Sequence, residues 1–100
     1  MMLFRHAARR LAVLYGDSFG GKPNGRYRMS AKQLRQLLGR RRLYEDDIRD
    51  LTRALLEEGY VLVDMDGFFV VLSANTFVNY RRLSAENLET VLADANADGL

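Results

Sequence analysis

Residues 60–73 read YVLVDMDGFFVVLS, two runs of β-branched and aromatic residues around an Asp-Gly pair, and no other segment constrains the fold as much. An Asp-Gly pair flanked in this way predicts a β-hairpin. Neither run alternates cleanly between apolar and polar residues. Antiparallel strands with one wet face show that alternation, whereas strands apolar at successive positions are covered on both sides. The hairpin therefore needs helices and a further cover over Val61, Val63, Phe69 or Val71. The C-terminal segment offers one such cover and a second copy of the chain offers another.

Helical spacing dominates elsewhere. Phe4, Ala7, Ala8, Leu11, Leu14 and Tyr15 recur at three and four, which predicts a helix over 2–15 ended by Gly16. The glycine-rich stretch GDSFGGKPNG, with the one proline, reads as a loop leading to a short strand RYRM at 26–29. Ser30 is an N-cap for a second helix, AKQLRQLL, with Ala31, Leu34, Leu37 and Leu38 inward and Gly39 as its stop. A third helix over 44–58 places Tyr44, Ile48, Leu51 and Leu55 on one stripe and ends at Gly59. Ser84 caps a last helix with Leu88, Val91, Leu92 and Ala95 on its stripe, and residues 96–100 read as a frayed tail. Residues 1–95 then form one domain.

Composition narrows the function classes. The 100 residues contain no cysteine, so neither disulfides nor thiolate metal ligands reinforce the core. No apolar run approaches the roughly 18 residues of a membrane helix, and the arginines of the first helix interrupt any signal-peptide segment. The expectation is a cytoplasmic protein. The net charge of +2 conceals a polarity: residues 1–42 hold eleven Lys or Arg against Asp17 alone, and residues 43–100 hold four Arg against twelve acids. Such asymmetry points to nucleic-acid contact through the basic half, or to head-to-tail self-association.

Catalytic motifs do not emerge. Gly16 to Lys22 matches G-x-x-x-x-G-K, yet a helix precedes it and Pro23 follows it, where a phosphate loop needs a strand before and Ser or Thr after. His6 is the one histidine, so neither a Ser-His-Asp triad nor a histidine metal site is legible. Asp64 and Asp66 fit turn chemistry rather than paired catalytic carboxylates. Tyr60, Phe68, Phe69, Phe77 and Tyr80 fit core and interface packing rather than a base-stacking surface. No enzyme, cofactor, metal or small-molecule ligand is expected.

The order helix, short strand, helix, helix, hairpin resembles the winged helix-turn-helix family. The resemblance rests on MSAKQLRQLLG as the first helix of the helix-turn-helix, IRDLTRALLEEGYVLV as the second helix running into a strand, and VLVDMDGFFVVL as the wing. It implies an α+β winged helix with an added C-terminal helix, and double-stranded DNA as partner with the third helix in the major groove. The block from Lys22 to Arg42 holds eight Lys or Arg and no acid. Arg26, Arg28, Lys32, Arg35, Arg40, Arg41 and Arg42, assisted by Gln33 and Gln36, are the candidate backbone contacts. Arg49 and Arg53 are the candidate base readers, since the arginine fork matches guanine.

The third helix departs from the family pattern, with six acids against two arginines over 44–58. Glu45, Asp46 and Asp47 suit the positive end of a helix dipole, and Arg53 with Glu57 has the spacing of an i, i+4 pair. The expected function is a small homodimeric transcriptional regulator, or a plasmid or phage accessory factor, with dimer contacts at Phe77, Tyr80, Leu88, Val91 and Leu92. The alternative is a winged-helix protein-interaction module of a larger assembly that binds no DNA.

Overall fold

The hairpin forms and its strands acquire a third neighbour. A computed structural model describes residues 2–97, with side chains over 4–94. Along the chain lie α1 (Met2–Gly16), β1 (Tyr27–Ser30), α2 (Ala31–Leu38), α3 (Glu45–Glu57), β2 (Tyr60–Asp64), β3 (Phe68–Ser73), a 3-10 turn (Ala74–Phe77) and α4 (Ala85–Ala97). The architecture is α+β, four helices with a three-stranded antiparallel sheet in the order β1-β3-β2. Tyr27 pairs with Val71 and Ser30 with Phe68 on one side of β3, while Tyr60 pairs with Ser73 and Asp64 with Phe69 on the other.

Helical stripes and one sheet face close on each other. Phe4, Ala7, Ala8 and Leu11 of α1 meet Leu34 and Leu38 of α2, Leu51 and Leu55 of α3, and Met29, Leu62, Phe69 and Val71 of the sheet. Burying six large side chains almost completely, Phe4, Leu11, Leu34, Leu51, Leu55 and Val71, gives about 1.5–3 kcal/mol each relative to exposure. Strand alternation sends Val61, Val63, Phe68, Val70 and Leu72 to the opposite face, where they are half-buried.

Several sequence expectations shift. β1 begins and ends one residue later than 26–29, so Ser30 closes the strand and caps α2. Tyr44 leaves the stripe of α3: it is the N-cap and 60% exposed. The C-terminal helix does not cover the sheet. Its Leu88, Val91 and Leu92 are 44%, 59% and 53% exposed, and α4 packs substantially against no other element among the described residues. Residues 96 and 97, expected to fray, are helical; residues 98–100 and the side chain of Ala95 lie outside the described part.

Candidate nucleic-acid interface

The basic block is presented by α2 and by the turn that follows it. Ser30 starts the helix reciprocally: its Oγ accepts from the Gln33 backbone N–H at 3.1 Å, and its own N–H donates to Gln33 Oε1 at 3.0 Å. Gly39 ends it with φ +66°, and the Arg40 N–H reaches back to the Arg35 carbonyl at 2.9 Å. Arg40, Arg41 and Arg42 therefore leave from the negative end of α2, which favours cations.

The turn is braced from within. Arg40 donates to the carboxylate of Asp47, and its guanidinium sits 5.4 Å from the centroid of the Phe4 ring. Asp47 is 7% exposed, and its other oxygen accepts the Tyr44 backbone N–H at 3.1 Å. One carboxylate thus closes the N-terminus of α3 and anchors the preceding turn. Asp47 serves the helix start expected of it, whereas Arg40 is committed to protein contacts first.

Between α2, α3 and the hairpin lies an open groove of about 500 Å3. Leu43, Ile48 and Phe69 supply apolar surface; Arg35 and Arg49 stand against Glu45, Asp64 and Asp66. Arg49 pairs with Asp46 at 2.7 Å, an exposed i, i+3 contact of the kind that contributes only a few tenths of a kcal/mol. Asp64 accepts the Asp66 N–H at 2.9 Å, which is turn chemistry.

The predicted contact residues separate into distinct places. Lys32, Arg41, Arg42 and Gln36 are exposed on or just after α2, and Arg35 lines the groove. Arg53 lines a shallow depression beside α1 with Phe4 and Arg5, so it does not share the groove with Arg49. The Arg53–Glu57 pair is not formed; among the described residues the ion pairs are Arg9–Glu58 at 3.6 Å, Arg40–Asp47 and Arg49–Asp46. Arg28 lies on the far face of the sheet, its guanidinium 5.5 Å from the Phe68 ring centroid, and Arg26 is exposed just before β1. Leu43 and Ile48 of the groove are not among the sequence candidates, because a leucine in a basic turn and an isoleucine on a core stripe carry no chemical signature.

Tyr27 ties β1 to α1, away from the groove. Its hydroxyl donates to the Leu11 carbonyl at 2.6 Å, and burial, reinforced by the nearby Tyr60, holds its phenol well above the ordinary tyrosine range. No group of three or more His, Cys, Asp or Glu able to hold a metal occurs among the described residues. No helix there is long and apolar enough to cross a membrane. Neither a protein-family model, nor a curated protein, nor a solved structure matches this chain significantly.

Proposed function

We propose that this chain is a winged helix-turn-helix protein that binds double-stranded DNA, with α2 and α3 as the helix-turn-helix and the β2–β3 hairpin as the wing. The element order and the return of β1 to pair with β3 are compatible with that fold. The observation that carries the DNA reading is a charge imbalance. Lys32, Arg35, Arg41 and Arg42 have no carboxylate in ion-pair distance among the described residues, while three nearby acids are occupied internally. Asp47 holds Arg40 and the Tyr44 N–H, Asp46 holds Arg49, and Asp64 holds the hairpin turn. The acidity that marks α3 in the sequence is thereby partly offset, and the basic residues of α2 and its turn face outward.

In this reading Lys32, Arg35, Arg41 and Arg42 contact phosphate, and Arg49 reads bases after exchanging its weak pairing with Asp46 for a guanine edge. The biological role that fits is a small homodimeric transcriptional regulator, or a plasmid or phage accessory factor, acting in the cytoplasm. Fluorescence anisotropy with random duplex DNA at several salt concentrations is the direct test. Affinity should fall steeply with salt, and Arg41→Ala with Arg42→Ala should flatten the slope by about 2, since each phosphate left without its cation removes near 0.9. Absence of binding at low salt overturns the proposal.

A second reading is favoured by the groove itself, whose apolar floor and acidic rim of Glu45, Asp64 and Asp66 suit a cationic peptide. Arg49→Ala separates the two: it should abolish sequence preference on DNA while leaving salt-dependent nonspecific binding in place. A peptide-binding module would show neither property.

A further inference from the structure

The sheet face turned away from α1, α2 and α3 is apolar across two strands. Val63 is in register with Val70 and Val61 with Leu72, and Phe68 continues the patch toward the hairpin turn. The charge on this face is Arg28, in register with Val70 and stacked over Phe68. Antiparallel sheets that meet water place polar residues outward. Here the outward positions of β2 and β3 are as apolar as the inward ones.

α4 carries the complementary need. Leu88, Val91 and Leu92 sit at i, i+3 and i+4 on one stripe, all exposed. Its charges are acids only: Glu86, Glu89 and Asp94, with no Lys or Arg between residues 85 and 97. The radius of gyration is 17.6 Å, whereas a compact 100-residue domain has about 13 Å. A helix standing off the body accounts for the excess.

We infer that α4 of one copy lies across the outer sheet face of a second copy, and that the exchange is reciprocal about a twofold axis. A helix with one apolar stripe and a sheet with a second apolar face each bury that surface by layering, and the acids of α4 meet Arg28. Pairing α4 with α4 is disfavoured, because it sets acids against acids with no basic residue in either helix. Reciprocity doubles the contact, toward the roughly 800 Å2 per partner of a specific interface. The inference deepens the homodimeric part of the reading above but does not rest on DNA binding: apart from Phe68, which also borders the groove, the receiving residues are on the opposite side of the sheet from α2 and α3, and the test contains no DNA.

Light scattering of the full chain at micromolar concentrations should give twice the chain mass. Leu88→Asp with Leu92→Asp should weaken dimerisation more than about tenfold, given the apolar area removed from the interface, with the circular dichroism and melting of the core retained. A monomer throughout, or a double variant that still dimerises as well as the parent, overturns the proposal. The absence of native cysteine allows the receiving face to be identified. A Val70→Cys chain mixed with a Leu88→Cys chain should form a disulfide-linked pair under oxidation. Equally efficient linkage of Leu88→Cys alone, or an intrachain bond in dilute Val70→Cys/Leu88→Cys, overturns it by showing α4 on α4 or on its own sheet.

Discussion

Asp47 concentrates several functions of this fold in one side chain. It is the third residue of α3, where a carboxylate favours the helix dipole, and it is also where the Arg40 guanidinium arrives from the end of α2. Removing it leaves the Tyr44 N–H and Arg40 without their acceptor. Asp47→Ala should cost about 2 kcal/mol in urea unfolding. The loss is below that of a fully buried pair because Arg40 remains 35% exposed. Tyr27 makes a second prediction. An unfolded tyrosine titrates near 10, and burial raises the folded value, so the native state holds its proton longer. The stabilisation is complete below about pH 10 and is lost as pH rises from there toward the folded value. Tyr27→Phe should cost about 1 kcal/mol at neutral pH. It should also shrink the loss of stability seen between neutral pH and about pH 11, as unfolding at the two pH values would show.

Two turns place the candidate interface. In the hairpin the left-handed residue is Asp66, at φ +70°, rather than the glycine beside it. Aspartate tolerates that conformation better than most residues, and Asp64 helps by accepting its N–H. Asp66→Val should cost about 1–2 kcal/mol, whereas Asp66→Gly should change stability by less than about 0.5 kcal/mol, relief of strain offsetting added chain entropy. Thermal melts of the two variants distinguish these outcomes. The α2–α3 turn depends in the same way on Gly39 at φ +66°, where a Cβ meets no atom within 4 Å. Gly39→Ala should therefore cost only the conformational penalty, about 1 kcal/mol, and the same melts would read it. The hairpin, the caps at Ser30 and Gly39 and the helical stripes were legible because each depends on neighbours within a few residues. The displacement of Tyr44 was not, because periodicity alone does not distinguish the last residue of a stripe from an N-cap.

At the scale of the whole molecule the chain is a compact body carrying an appended helix. The extents of 51 × 31 × 26 Å reflect that division. Since α4 contributes no residue to the core cluster, a chain ending at Leu83 should unfold with the same free energy as the full chain when both are measured as monomers. Denaturant titration at high dilution is the measurement. A loss of several kcal/mol would mean that α4 supports its own body.

Helix starts and stops to within about two residues, the hairpin after α3, and the block of basic residues with the acids after it can all be read along the chain. Those properties follow from short-range sterics, capping and periodicity, which act between residues close in the chain. Tertiary structure alone decided which charges remain available. Arg40 is drawn to Asp47 and Phe4, Arg28 to the far face beside Phe68, and Arg53 to the flank of α1, away from the DNA contacts that residue order along the chain suggests for all three. Ion pairing and burial depend on partners brought together by packing, and the identity of those partners is fixed only when the layers meet.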